Sequence, residues 1–136
     1  MQTGSEAEEV FKALFHKGNI YTYLARDPVP LVDSPRLEEF LRDYELVFIY
    51  FTAEWCAPCI RLVPELVKAS LGIQGLKAKI VRVDVDRSHE LAHKYNVSRL
   101  PTLLVARKGR VVDSMSGSLT PETLRAFIDS YAKSLQ

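Results

Sequence analysis

The apolar residues of this chain fall into blocks that predict alternating strands and helices. Two continuous apolar runs are typical of strands buried on both faces, and a third stretch alternates charged and apolar residues as strands do. A short apolar stretch predicts one more strand near the start, and Lys108-Gly109 predicts a hairpin turn into the last strand. The predicted strands are 30–32, 46–52, 79–85, 102–106 and 111–115.

Helical spacing and capping residues predict helices between those strands. Asp33 followed by Pro35 marks the start of one helix, and Thr120 followed by Pro121 marks the start of the last. Pro64 lies inside a predicted helix and removes one backbone hydrogen bond, so we expect a kink there with the apolar stripe continuing beyond it. The predicted helices are 36–44, 56–71, 88–95 and the segment after Thr120.

The first residues form a separate predicted segment. Apolar residues at helical spacing between positions 6 and 17 predict an amphipathic helix, and Asp27-Pro28-Val29-Pro30 predicts a rigid break after it. We therefore divide the chain into an N-terminal helical extension, 1–29, and one domain, 30–136. The order of elements in that domain is β-α-β-α-β-α-β-β-α, which predicts an α/β fold with a central mixed sheet flanked by helices on both faces.

Length, composition and charge narrow the classes of function. With 136 residues, 47% of them hydrophobic, the chain is long enough for one domain with its own core. A net charge of +1, with acidic and basic residues intermixed, gives no concentrated basic surface for nucleic acid or anionic membranes. The sequence has no apolar stretch near the roughly 20 residues of a membrane span, and residues 1–17 lack the signal-peptide pattern, so we expect a cytoplasmic protein.

The two cysteines of the chain, Cys56 and Cys59, lie three residues apart directly after the first apolar run. On the first turn of a helix that spacing brings their Cβ atoms within roughly 5–6 Å, close to disulfide geometry. In a reducing compartment, paired cysteines more often serve catalysis or metal binding than structure. Structural zinc needs two further ligands and the sequence has no second CxxC, so we predict a redox centre without metal.

A second motif, HELAH at 89–93, matches the H-E-x-x-H pattern of zinc proteases. The predicted helix is only about two turns long, and no third ligand is evident in the sequence. We therefore interpret the match as a coincidence that places two solvated histidines on a surface helix.

Beyond the cysteine pair, several motifs occur together as they do in one protein family. They are AEWCAPC at 53–59, VDVD at 83–86 with LA at 91–92 and YNV at 95–97, LPT at 100–102, and the single residues Pro64 and Gly117. In this order and spacing they resemble the thioredoxin family over about residues 30–135.

The resemblance implies a thioredoxin fold and a protein-disulfide reductase that needs no metal or organic cofactor. Cys56 is then the nucleophile, because free N–H groups at a helix start favour a thiolate, and Cys59, one turn further in, is the resolving cysteine. The expected partners are disulfide-bearing proteins and a thioredoxin reductase or an equivalent electron donor. The substrate-docking surface that the resemblance implies consists of Trp55, Ala57, Pro58, Leu100, Pro101 and Gly117, with Pro101 in a cis peptide bond.

Three further positions are expected to tune the chemistry. Tyr50 stands where thioredoxins carry a buried aspartate, and a tyrosine with a pKa of about 10 is a poor base near neutrality. Glu54 or water would then accept the proton of Cys59, while the Tyr50 hydroxyl could donate a hydrogen bond to a thiolate. Arg82 resembles the lysine that neighbours that aspartate, and a solvated strand charge is the alternative interpretation.

Other functions stay open from the sequence. The same fold serves a disulfide oxidase or isomerase, and a non-catalytic binding module would use the surface around Trp55 and Pro101. For the extension, we expect the apolar stripe to pack on the domain of a monomer, with a dimer contact as the alternative.

Overall fold

The computed structural model describes residues 27–136; residues 1–26, which include the predicted N-terminal helix, lie outside the described residues. The described part has four paired strands, β1 (Leu46–Thr52), β2 (Ala78–Asp84), β3 (Thr102–Arg107) and β4 (Arg110–Ser116). They form one mixed sheet in the order β2-β1-β3-β4. All seven residues of β1 are buried, which confirms that this apolar run is covered on both faces.

The direction in which neighbouring strands run agrees with the segments that connect them. β1 runs parallel to β2 and antiparallel to β3, and β3 continues into β4 through the predicted two-residue turn. The predicted strand 30–32 is reduced to a single bridge between Leu31 and Arg82 at the outer edge of β2. The segment is short, and Pro30 has no N–H to extend the ladder.

The helices lie between the strands in the predicted order. They are α1 (Ser34–Asp43), α2 (Ala57–Arg61), α3 (Val63–Gly72), α4 (His89–Lys94) and α5 (Pro121–Ala132), with a final 3₁₀ turn at Lys133–Leu135. The Asp33 side chain caps α1 by accepting from the Arg36 N–H at 3.1 Å, and Thr120 caps α5 in a reciprocal box with Thr123. Both predicted caps are confirmed.

The predicted helix 56–71 is divided into α2 and α3 at Leu62. Pro64 has no N–H for the Ile60 carbonyl, and its ring crowds that carbonyl, so the regular hydrogen-bond pattern is interrupted. The Leu62 N–H instead donates to the Cys59 carbonyl at 3.3 Å. The expected kink is therefore a break two residues before the proline.

Two hydrophobic cores pack against the two faces of the sheet. Phe48 and Tyr50 point to the core formed with α2, α3 and α5, and Val47, Ile49 and Phe51 point to the core formed with α1 and α4. This alternation confirms helices on both faces of the sheet. Within residues 27–136, no helix is long and apolar enough to cross a membrane.

The strand register gathers four distant loops at one edge of the sheet. Thr52 at the end of β1 lies opposite Asp84 at the end of β2. Phe51 lies opposite Thr102 at the start of β3, and Thr102 in turn lies opposite Ser116 at the end of β4. The segments that leave these strand ends therefore meet, and three of them carry the motifs singled out in the sequence.

Candidate active site

The cysteine pair lies where the loop after β1 enters α2. Cys56 is the N-cap residue of α2, and its Sγ accepts a hydrogen bond from the Cys59 N–H at 3.4 Å. The two cysteines are joined in a disulfide with their Cα atoms 5.3 Å apart. Cys56 keeps 5% of its surface exposed and Cys59 none, so Cys56 is the member of the pair that reaches the surface.

Tyr50 lies beneath the cysteine pair and is fully buried. Its hydroxyl donates a hydrogen bond of 2.7 Å to the Cys59 carbonyl, next to the break between α2 and α3. Burial raises the pKa of Tyr50 well above its ordinary value, so the group stays protonated throughout the neutral range. In this structure the hydroxyl therefore supports the backbone of Cys59 and is not available as a base.

Glu54 and Arg82, the other two predicted tuning residues, make their contacts away from the cysteines. The Glu54 side chain is 82% exposed and lies 3.5 Å from Nη2 of Arg87. The Arg82 Nε donates to the Val29 carbonyl at 2.7 Å, and its Nη2 lies 3.6 Å from Asp27, so Arg82 holds the start of the described chain against β2. Their influence on the cysteines stays a prediction.

The residues predicted to dock substrate lie at the edge of the sheet where the loops meet. Trp55 is 69% exposed, and Ala57 and Pro58 are exposed beside it. The Leu100–Pro101 peptide bond is cis, as the resemblance implies, and the Pro101 carbonyl accepts from the Gly117 N–H at 3.2 Å. Leu100 is half-buried and packs on the core around the cysteines, while Pro101 itself is buried.

The structure adds three residues that the sequence analysis did not select. Ile60 follows Cys59 in α2 and is 51% exposed, and Asp86 accepts a hydrogen bond of 2.8 Å from Trp55 Nε1. Arg99 places its guanidinium over Gly117. Ile60 directly follows the CxxC motif, Arg99 directly precedes the LPT motif, and Asp86 is the last residue of the VDVD motif. This adjacency to the motifs is the sequence signal by which the three residues could have been selected.

The residues that define the H-E-x-x-H match lie on the exposed face of α4. His89 and His93 are exposed on α4, whereas Leu91 between them is buried. Within residues 27–136, no group of three or more histidine, cysteine or acidic side chains is arranged to hold a metal ion.

Comparison with known proteins identifies this arrangement. The sequence profile described as Thioredoxin matches residues 29–130, most of the chain. The chain belongs to the thioredoxin family. It is 42% identical over 83 residues to thioredoxin C-2 of Corynebacterium nephridii (61% of this chain, 76% of that protein). It is 38% identical over 86 residues to thioredoxin of Bacillus subtilis strain 168 (63% of this chain, 82% of that protein).

Solved thioredoxin structures share the fold. The structure of Plasmodium falciparum thioredoxin superposes with a TM-score of 0.70 at 30% identity, covering 76% of this chain and 98% of the other. With this fold and its CxxC disulfide, the present thioredoxin-family chain is a thiol–disulfide oxidoreductase that reduces protein disulfides. The disulfide between Cys56 and Cys59 is the oxidised state of its redox centre.

Proposed function

We propose that this protein carries two electrons from an external dithiol reductant to protein disulfides, with Cys56 as nucleophile and Cys59 as resolving thiol. The observation that supports these roles is the unequal placement of the two sulfurs. Cys56 caps α2, receives a backbone N–H on its Sγ and reaches the surface, whereas Cys59 is fully enclosed. A backbone donor aimed at sulfur stabilises the thiolate, which is the attacking form.

The reaction runs through two thiol–disulfide exchanges. In the reduced protein, the Cys56 thiolate attacks one substrate sulfur, forming a mixed disulfide and releasing the other substrate sulfur as a thiolate that water protonates. Cys59 then loses its proton, attacks the Cys56 sulfur and releases the second substrate thiolate. The substrate has gained two electrons, and the Cys56–Cys59 disulfide awaits reduction by the donor.

The proton of Cys59 leaves to water in this proposal. The Tyr50 hydroxyl is committed to the Cys59 carbonyl, and the exposed Glu54 carboxylate faces Arg87. Among residues 27–136, Asp84 is the one buried acidic residue, and its carboxylate accepts from the Asp86 N–H and lies 4.0 Å from Arg87. Because the thiolate fraction rises with pH and levels off only above the thiol pKa, we expect the resolving step to accelerate as the pH rises above 7.

Substrate and donor are proposed to use the same surface. Both reactions require access to Cys56, which opens beside Trp55, Ala57, Pro58, Leu100, Pro101 and Gly117. The proposed donor is a thioredoxin reductase or an equivalent dithiol enzyme, and the proposed location is the cytoplasm, where such a donor keeps the pair reduced.

Single cysteine variants test the roles. Cys59→Ser is expected to accumulate a mixed disulfide with a disulfide-bonded test protein, detectable as a mass increase that dithiothreitol reverses. Cys56→Ser should form no such adduct, and neither variant should sustain turnover. Ser70→Ala, in α3, serves as a folding and handling control. An adduct that forms with Cys56→Ser and not with Cys59→Ser would reverse the assignment.

The reduction potential distinguishes a reductase from the alternatives on the same fold. Equilibrating the protein with glutathione redox buffers and measuring the fraction in disulfide form gives this potential. A potential well below that of the glutathione couple is the expected result for a reductase with a dedicated donor. A potential near or above that couple would favour a disulfide oxidase or isomerase.

A further inference from the structure

Charged side chains are distributed unequally around the redox centre. On the side of the β2 loop, the described residues include three carboxylates, Glu54, Asp84 and Asp86, and Arg87 lies 3.5 Å from Glu54 and 4.0 Å from Asp84. Asp86 additionally accepts from the Trp55 indole. That side of the site therefore carries excess negative charge.

The opposite side, beside β4, carries the guanidinium of Arg99. This exposed residue directly precedes Leu100-Pro101, and its carbonyl accepts from the Thr102 hydroxyl at 2.6 Å, which ties the backbone of Arg99 to the start of β3. Among residues 27–136, Arg99 has no carboxylate at ion-pair distance. A cation on a fixed backbone segment thus lies next to the docking surface with its charge uncompensated by the described residues.

Gly117 provides the space in which the guanidinium lies. A Cβ atom built on Gly117 would approach Arg99 Nη1 to 3.3 Å, so any side chain at position 117 would press on the guanidinium. The Gly117 N–H is bonded to the Pro101 carbonyl, which links this pair of residues to the predicted docking surface. The charge of Arg99 is therefore held beside the surface over which a substrate has to approach.

We propose that Arg99 is a specificity-determining residue that favours protein disulfides with an acidic side chain next to the attacked cysteine. The inference rests on the proposed function, since it describes which disulfides reach Cys56 most readily. An acidic group near Arg99 gains an attractive contact, and an acidic group near Glu54 and Asp86 meets repulsion, so the two sides together also orient the substrate. A solvent-exposed ion pair of this kind is expected to raise kcat/KM for an acidic substrate about twofold to fivefold over that for a basic one.

Three disulfide-bonded peptides that differ only in the residues flanking one cysteine test this proposal. The flanks are acidic, neutral or basic, and kcat/KM is measured for the wild type, Arg99→Gln and Arg99→Glu. The matched control is Arg110→Gln, which removes the same charge from an exposed position at the opposite end of β4. We expect the wild type and the control to prefer the acidic over the basic peptide, about twofold to fivefold.

In Arg99→Gln this preference should disappear, and in Arg99→Glu it should reverse. In roughly 1 M salt, where the screening length is about 3 Å, the wild-type preference should also be lost. An equal change of kcat/KM for all three peptides in Arg99→Gln, or a preference that the variant retains, would overturn the inference while leaving the reductase function intact. A wild type that reduces not even the neutral peptide would overturn the proposed function, and the inference with it.

Discussion

Tyr50, at the centre of the site, has a structural role and does not act as a base. The side chain at this position reaches the backbone of the resolving cysteine, and its hydroxyl is bonded to the Cys59 carbonyl at 2.7 Å. The carbonyl lies next to the break that Pro64 imposes between α2 and α3. The hydroxyl therefore stabilises an irregular part of the helix directly below the disulfide.

Replacing Tyr50 with Phe is expected to lower the free energy of unfolding by about 1–3 kcal/mol, because it removes a buried hydrogen bond and leaves a carbonyl less satisfied. Urea denaturation of the oxidised protein at pH 7 measures the difference. Tyr44→Phe is the matched control, since the Tyr44 hydroxyl makes no hydrogen bond within residues 27–136. Equal losses in both variants would show that the bond to Cys59 contributes nothing specific.

The pH dependence of stability gives a second test at this residue. Burial raises the pKa of Tyr50 in the folded protein, whereas in the unfolded chain it titrates near 10. The contribution of the protonated phenol to stability is therefore complete below pH 10 and is lost as the pH rises above 10 towards the folded-state pKa. The stability gap between wild type and Tyr50→Phe should narrow above pH 10 in denaturation curves; a constant gap would contradict the assignment.

Among the secondary-structure elements, the β3–β4 hairpin is closed by a strained turn. Lys108 and Gly109 both have positive φ angles, 51° and 82°, as a two-residue turn of type I′ requires. Glycine adopts this conformation without cost, but lysine does so unfavourably and asparagine more readily. Lys108 is therefore one of the few described residues whose backbone conformation is unfavourable for its residue type.

Lys108→Asn is expected to raise the free energy of unfolding by about 0.5–1 kcal/mol, because asparagine tolerates the left-handed conformation. The Lys108 N–H still donates to the Glu45 carbonyl, since that bond belongs to the backbone. Thermal and urea denaturation measure the gain. The control is Lys77→Asn, which removes the same charge at an exposed position outside the helices and strands and should leave stability nearly unchanged. An equal gain in this control would show that the loss of positive charge, and not the turn conformation, causes the effect.

The order of elements could be predicted because each had a strong local signal. The apolar run of β1, the caps Asp33 and Thr120 and the turn Lys108-Gly109 all specify structure over a few residues, and each is confirmed. The segment 30–32 was overpredicted because strand propensity does not reveal whether an edge has room and donors for pairing. Pro64 predicted an irregularity in its helix, but local rules do not determine whether the helix kinks there or divides at Leu62.

The candidate site was only partly predictable, for a different reason. Cys56, Cys59 and Pro101 lie in recognisable motifs, whereas the contacts of Asp86 and Arg99 depend on loops that approach each other only through the strand register. The contact of Tyr50 with Cys59 depends on how α2 packs back onto β1. A sequence shows that Arg99 lies two residues before Pro101. It does not show that the guanidinium lies over a glycine located in another loop.

For the whole molecule, the first test concerns the division between extension and domain. Deleting residues 1–26 keeps Asp27 and its contact with Arg82, and it removes the apolar stripe. We expect the shortened chain to remain folded, with a lower free energy of unfolding and an unchanged oligomeric state. Circular dichroism under denaturant and sedimentation velocity measure the two quantities. A smaller assembly after deletion would instead favour a dimer contact through the extension.

The gathering of distant loops at one sheet edge has a consequence for what folding contributes to activity. The sulfurs are neighbours along the chain, so an unfolded copy would still form and break its own short disulfide. The cis bond at Pro101 and the glycine at 117 come beside the Cys56 loop only when β1, β3 and β4 are paired in register. The fold therefore supplies discrimination among substrates in addition to the thiolate stabilisation at the start of α2. A partly unfolded copy that keeps α2 would still exchange disulfides, but it would no longer select among substrates.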